Sequence, residues 1–186
     1  MNVSDILKSA KDSMDKTLEF TQKNLEKVRT GRASASLVDN VKVDYYGSPT
    51  PLSQIASISV PDAKTIVIQP WDRSTLSSIE KAIQSAGLGF NPMNDGSVIR
   101  IPVPPLTEER RKEFVKMSKK IAEEGKIAVR NVRRDNMEAL KKGEKDKDFS
   151  EDDKKKGEDE VQKFTDEYIR KIDDLQVKKE KELMED

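Results

Sequence analysis

The distribution of proline is the feature that most limits how this chain can fold. All eight prolines lie between residues 36 and 105, the first at Pro49 and the last at Pro105. Proline lacks a backbone N–H and clashes with the preceding turn of a helix, so long helices are confined to the two ends of the chain. The middle, where β-branched residues cluster in short runs, is expected to form strands. The sequence therefore predicts an α+β protein with two domains.

The first end of the chain carries apolar or small residues at spacings of three and four, which is typical of one helix face. A helix is predicted from residue 4 to about residue 29, with Ser4 as its cap and Gly31 ending it. The predicted face consists of Leu7, Ala10, Met14, Leu18, Thr21, Leu25 and Val28.

Two further long helices are predicted after residue 106. The apolar face of the second helix consists of Phe114, Met117, Ile121, Gly125, Ala128 and Val132. The third is expected to begin at Ser150, with Asp153 in the position of a capping box, and its face consists of Val161, Phe164, Tyr168, Ile172, Leu175 and Leu183. No such helix can bury its stripe alone, so the three are expected to pack as an antiparallel bundle.

The central segment has the pattern of a small β/α/β domain. Strands are predicted at residues 41–46, 55–60, 65–69 and 97–103. A short helix from about Ser74 to Ala86 is expected between the last two, with Gly87 closing it. The predicted domains are thus residues 1–30 plus 106–186 for the bundle and residues 31–105 for the insert.

The chain crosses between these two domains twice, and both crossings are predicted to act as a hinge. One crossing contains glycine and the other is rich in proline. The expected hinge residues are Thr30, Gly31, Arg32, Pro102, Pro104 and Pro105.

Composition excludes most enzyme classes. The chain has no Cys and no His, so thiol nucleophiles, imidazole catalysis, disulfides and Cys/His zinc sites are ruled out. No glycine-rich phosphate loop is present, and the acids of SEDD at 150–153 are explained by a helix start. We expect neither enzymatic activity nor a metal or cofactor. No apolar run or targeting signal is seen, so a cytoplasmic protein without a membrane span is expected.

Positive charge is concentrated on the second long helix, although the chain has 35 basic and 35 acidic residues. Ten cations and three acids between Arg110 and Arg134 give +7, whereas nine acids and five cations between Glu144 and Glu160 give −4. The cations repeat at spacings of three, four or seven, at Lys112, Lys116, Lys119, Lys126, Arg130 and Arg133. At about 100° per residue, this line is predicted to lie opposite the apolar face and to point away from the bundle.

A line of one charge favours a polyanion as partner, and arginine adds forked hydrogen bonds to phosphate. Ile127, Asn131 and Arg134 lie beside the line. Alternatives are that the face is only solvated or paired with nearby acids, that the helices form a scaffold binding other helices, or that an acid-only metal site serves an RNA-handling enzyme. Tyr45, Tyr46, Trp71, Phe90 and Met93 are expected in the core or at the edge of the insert rather than in a base-stacking platform. Trp71 is the one residue of this set considered as an alternative exposed contact.

Several motifs together resemble the bacterial ribosome recycling factor family across essentially the whole chain. They are KVRTGRAS at 27–34, YYGSPTPLSQIA at 45–56, WDRS with IEKAI at 71–83, GFNP at 89–92, GSVIRIPVPPLTEERRKE at 96–113, KIAVRNVRRD at 126–135, SEDD at 150–153 and VQKFTDEYIRKID at 161–173. Phe90 and Trp71 depart mildly from the Leu and Phe expected there.

The resemblance implies an L-shaped protein made of a three-helix bundle and a hinged α+β insert. It implies a non-enzymatic, monomeric translation factor that splits post-termination ribosomes with elongation factor G and that partner's GTP hydrolysis. Contacts to large-subunit ribosomal RNA are implied at Arg32, Arg111, Arg130 and Arg133, and the basic line adds Lys126 and Arg134. The hinge and insert are implied to face elongation factor G and the small subunit.

Overall fold

The computed structural model describes residues 1–185; Asp186, the last residue of the predicted bundle range, lies outside them. The chain forms two compact units, Met1–Thr30 with Glu108–Glu185 and Gly31–Thr107. In chain order the elements are α1 (Val3–Glu26), β1 (Lys42–Tyr45), β2 (Ser48–Pro51), β3 (Ala56–Asp62), β4 (Thr65–Pro70), α2 (Leu76–Ser85), β5 (Met93–Asn94), β6 (Ile99–Pro102), α3 (Glu108–Lys145) and α4 (Glu151–Met184).

The three long helices form an antiparallel bundle, which confirms the predicted α+β class. Its apolar contacts fall into two clusters, one with Ile6, Ala10, Leu140 and Val161, the other with Met14, Ala122, Val129, Tyr168 and Ile172. From the first cluster to the second, residue numbers rise along α1 and α4 but fall along α3. The third helix α4 therefore runs parallel to α1, with α3 antiparallel to both.

The first helix is capped by Asn2 and not by Ser4, so that prediction was wrong. The Asn2 side chain accepts a hydrogen bond from the Asp5 backbone N–H at 2.8 Å, and the Asp5 carboxylate accepts one from the Asn2 N–H at 3.3 Å. This reciprocal pair needs an acceptor side chain three residues after the cap. Counting from Ser4, that position is Leu7, which cannot accept. At α4, the predicted cap is confirmed, because Ser150 Oγ accepts from the Asp153 N–H at 3.1 Å.

The buried face of α3 differs from the predicted one. The buried positions are Ser118, Ala122, Gly125, Val129, Leu140 and Gly143. Of the predicted positions Gly125 is buried, whereas Met117, Ile121 and Ala128 are each replaced by the residue that follows, so the centre of the buried face is turned by about 60°. The sequence pattern gave weight to large apolar side chains, whereas small side chains fill the centre of the contact with α1.

The insert contains a four-stranded antiparallel sheet in the order β3-β4-β6-β5 and a separate β1-β2 hairpin. Alternating residues of β4 and β6 (Ile66, Ile68, Ile99 and Ile101) are buried with Ile79 and Ile83 of α2. The short strands β2 and β5 were not predicted. Strand β2 has two prolines among four residues and β5 is only two residues long, so neither gives an alternating signal. No helix within residues 1–185 is both long and apolar enough to span a membrane.

Replacing Gly125 by Ala is expected to destabilise the bundle. A Cβ added at this position would lie 2.5 Å from Thr21 Oγ1 and 2.9 Å from Thr21 Cγ2. Alanine is a better helix former than glycine by about 1 kcal/mol, whereas overpacking a rigid contact costs about 1–3 kcal/mol. We therefore expect the free energy of unfolding to fall by up to about 2 kcal/mol in chemical denaturation.

The matched control is the same change in a Thr21→Ala background. Without the hydroxyl and methyl groups of Thr21 the added methyl group has room, so the double variant should be at least as stable as Thr21→Ala alone. A Gly125→Ala protein that is as stable as the wild type would contradict the close approach of α1 and α3.

Candidate nucleic-acid interface

Five of the six predicted RNA-binding residues lie on α3, and Arg32 lies in the other unit. Lys126, Arg130, Arg133 and Arg134 fall within nine residues of helix. Arg111 is in the first turn of α3, so it lies about 28 Å from Arg130 along the helix axis. The four clustered cations are called the basic flank below.

The basic flank borders α4, and the prediction that the line points away from the bundle is wrong for two of its members. Lys126 Nζ lies 2.8 Å from Asp173 Oδ1, and Arg133 Nε donates to Gln162 Oε1 at 2.8 Å. Both partners belong to α4. The rotation of the buried face of α3 by about 60° accounts for this difference, since it brings these positions from the outside of the bundle to the edge of its core.

Lys126 makes the most enclosed ionic contacts of the flank. Its side chain is only 20% exposed and is also 3.5 Å from Glu123 Oε2. The hydrogen bond that Lys126 donates to Asp173 raises the pKa of Lys126 above its ordinary value, and partial burial opposes that shift. The ammonium group therefore stays charged, but two carboxylates already offset its charge.

Arg130 is more exposed than Lys126 but still lies near a carboxylate. Its side chain is 44% exposed, and its Nη1 lies 3.6 Å from Glu123 Oε1. Exposed ion pairs of this length contribute little to stability and are screened by salt. Arg130 is therefore paired only weakly, and a phosphate could compete for it.

Arg133 contacts a neutral side chain. Gln162 accepts from its Nε, and Gln162 Nε2 in turn donates to Asp166 Oδ1 at 2.9 Å. Within residues 1–185 no ion pair reaches the Arg133 guanidinium, and the neighbouring Arg134 is exposed. The positive charge of these two arginines is thus the least offset on the flank.

The first turns of α3 fit the paired-surface alternative better. Lys112 lies 3.5 Å from Glu108, and Arg110 lies 3.4 Å from Glu113. These are exposed contacts between residues three or four positions apart, which are common among charged residues on a solvated helix face. The line of cations is therefore not uniform, and its arginine-rich end differs from its start.

Sequence reasoning did not single out the α4 residues that contact the flank. Gln162 and Asp173 are 29 and 47 residues away from their partners. Their spacing with Asp166 is four and seven residues, which places the three on one face of α4. That periodicity is the only feature of the sequence that groups these three residues, and no local pattern indicates that they contact α3.

The aromatic residues of the insert divide between core and surface. Phe90 is buried, whereas Tyr46 is 76% and Trp71 is 70% exposed. Met93 is also exposed, and the Tyr46 hydroxyl donates to Asp72 Oδ2 at 2.6 Å. Trp71, Tyr46 and Met93 are therefore surface residues, which for Trp71 agrees with the alternative of an exposed position. No group of three or more acidic side chains within residues 1–185 is arranged to hold a metal ion.

Comparison with known proteins decides the family. A family model described as ribosome recycling factor matches residues 21–184. The chain belongs to the ribosome recycling factor family. It is therefore a translation factor and not an enzyme, and the resemblance noted in its sequence is confirmed.

Curated relatives match along the full length of the chain. The ribosome-recycling factor of Nitratidesulfovibrio vulgaris (strain DP4) is 56% identical over 185 residues, which cover 100% of both chains. The ribosome-recycling factor of Geobacillus sp. (strain WCH70) is 54% identical over 183 residues, covering 98% of this chain and 99% of the relative.

Solved structures of the ribosome recycling factor family share the fold. A solution structure of a ribosome recycling factor superposes with a TM-score of 0.76 at 46% identity, covering 99% of this chain and 98% of the other. A second structure shows the T. thermophilus ribosome recycling factor with E. coli elongation factor G bound to the E. coli post-termination complex. Its TM-score is 0.65 at 46% identity, with full coverage of both chains.

Proposed function

We propose that this chain dissociates post-termination ribosomes into subunits for reuse, together with elongation factor G and GTP hydrolysis by that partner. The observation that carries the proposal is the full-length similarity to ribosome-recycling factors. One solved relative is described on the post-termination complex with elongation factor G. The sequence has no phosphate-binding glycine loop, so the nucleotide would be bound by the partner. The site of action would be the cytoplasm, where these ribosomes are.

We further propose that the basic flank of α3 binds large-subunit ribosomal RNA. The support is the +7 charge between Arg110 and Arg134 and the arginines at the end of the flank. A guanidinium can make two parallel hydrogen bonds to one phosphate, which an ammonium cannot do. Lys126 and Arg130 face carboxylates already, so Arg133 and Arg134 are the strongest candidates.

Arg32 and Arg111 complete the proposed RNA-binding set on family resemblance. Arg111 shares α3 with the basic flank, and Arg32 follows the first crossing between the units. Both residues also have interactions within the chain.

The two crossings between the units are proposed to work as a hinge. They fall at Thr30–Gly31 and Thr107–Glu108, next to the proposed hinge residues Thr30, Gly31, Arg32, Pro102, Pro104 and Pro105. Gly31 has φ +77°, and a Cβ on it would lie 3.0 Å from Leu106 Cγ. Any side chain at this position would thus be strained. A bundle anchored on RNA and an insert that can rotate would let a motor move one part while the other stays bound.

The proposed function is tested by subunit splitting. Post-termination ribosomes incubated with this protein, elongation factor G and GTP should dissociate, as followed by light scattering or gradient sedimentation. Omitting the protein, or replacing GTP by a non-hydrolysable analogue, should leave the ribosomes intact. Equal yields of subunits with and without the protein would refute the proposal.

The RNA interface is tested with Arg133→Gln and isolated large subunits. Loss of one phosphate contact should weaken binding about 10-fold and lower the slope of log K against log [salt] by about one. Lys155→Gln is the matched control, because it removes the same charge from an exposed residue paired with Glu151. If both variants bind like the wild type and are folded, Arg133 does not contact RNA.

The hinge is tested by small-angle scattering of the free protein. Two units joined by flexible crossings should require an ensemble of conformations to fit the data, since small interfaces between domains rarely hold them rigid. The Gly31→Ala variant should shift that ensemble. One rigid shape that fits the wild-type data at several salt concentrations would contradict the hinge.

A further inference from the structure

The three inner cations of the basic flank meet partners of different charge. Lys126 lies 2.8 Å from the Asp173 carboxylate and Arg130 lies 3.6 Å from that of Glu123. Arg133 instead meets the amide of Gln162 at 2.8 Å. The contact from α4 is therefore anionic at Lys126 and neutral at Arg133, although the two sites are only two turns apart on α3.

The orientation of the Gln162 amide is fixed by its neighbours. Asp166 Oδ1 can only accept a hydrogen bond, and Arg133 Nε can only donate one. The amide NH2 must therefore face Asp166, at 2.9 Å, and the amide oxygen must face Arg133. Hydrogen bonds can therefore run only from Arg133 to Gln162 and from Gln162 to Asp166. Val161, next to Gln162, is fully buried, so the backbone that carries the amide is anchored.

This contact uses one of the five N–H groups of the guanidinium. The Nε–H goes to Gln162, and the four N–H groups of the two terminal nitrogens take no part in that bond. These are the groups that form the fork on a phosphate. A carboxylate in place of the amide would bind the same guanidinium as an ion pair, and an incoming phosphate would have to displace it.

We propose that Gln162 is a positioning residue for phosphate binding by Arg133. It holds the guanidinium by its Nε at the border of α3 and α4 while leaving the positive charge available to RNA. The inference rests on the proposed function and adds to it the choice of Arg133 over Lys126, which two carboxylates already hold. Gln162 itself makes no contact with RNA in this scheme.

The test compares three glutamine substitutions for binding to isolated large ribosomal subunits over a range of salt concentrations. Gln162→Glu places a carboxylate beside Arg133, so affinity should fall about 10-fold and the salt slope should fall by about one, as for Arg133→Gln. Gln162→Met removes the acceptor without adding charge, so affinity should fall while the salt slope stays at the wild-type value. Gln22→Glu adds the same charge at an exposed position of α1 and should bind within about twofold of wild type.

Two further measurements separate this inference from its alternatives. Thermal melting should show Gln162→Glu folded, because the new ion pair with Arg133 offsets the lost hydrogen bond to Asp166 and the repulsion between the two carboxylates. In an Arg133→Gln background, Gln162→Glu should cause no further loss of affinity, since the new carboxylate acts by pairing with the Arg133 guanidinium.

The outcomes are distinct. If Arg133→Gln weakens binding but Gln162→Glu binds like the wild type, the inference is overturned and the proposed RNA interface is retained. A loss with Gln162→Glu that persists undiminished in the Arg133→Gln background, or that Gln22→Glu reproduces, overturns it as a general charge effect. If Arg133→Gln itself binds like the wild type, the interface and the inference fall together.

Discussion

The close approach of the three long helices is the constraint on which the rest of the bundle depends. Gly125 of α3 lies directly against Thr21 of α1, and Gly157 of α4 lies against Leu140 and Val3. A chain with 38% charged and 34% hydrophobic residues cannot fill a wide core. Small residues at the helix contacts let it form a narrow core instead, in which apolar side chains from all three helices pack together.

This narrow core also determines how the charges are arranged. Because the buried face of α3 includes Ala122 and Val129, the positions four residues further along reach the border with α4. Lys126 and Arg133 occupy these two positions, and their polar ends contact α4 side chains. Bundle packing and the proposed RNA interface therefore share the same residues, and the α4 side chain opposite each cation decides how much of its charge is offset.

Much of the fold was accessible from sequence because it depends on local rules. Proline separated the helical ends from the central β region, and periodic apolar residues identified all three long helices and α2. The errors have local causes as well. Asn2 outcompeted Ser4 because only Asn2 has an acid three residues later, and β2 and β5 were missed because they are short. The rotation of the buried face of α3 was not visible, since sequence periodicity favours Met117 over Ser118 as a core residue, and only packing against the other helices reverses that order.

The sequence by itself determined the α+β class, the positions of the long helices, the absence of His and Cys chemistry and the concentration of arginine near residue 130. The tertiary structure alone decided which side chains face one another. Gln162 and Asp173 are far from Arg133 and Lys126 in the chain, and no local pattern distinguishes a neutral partner from an anionic one. The charge available to a ligand depends on distances between helices, because electrostatic interactions fall with separation and with solvent screening. Those distances exist only after the bundle has packed.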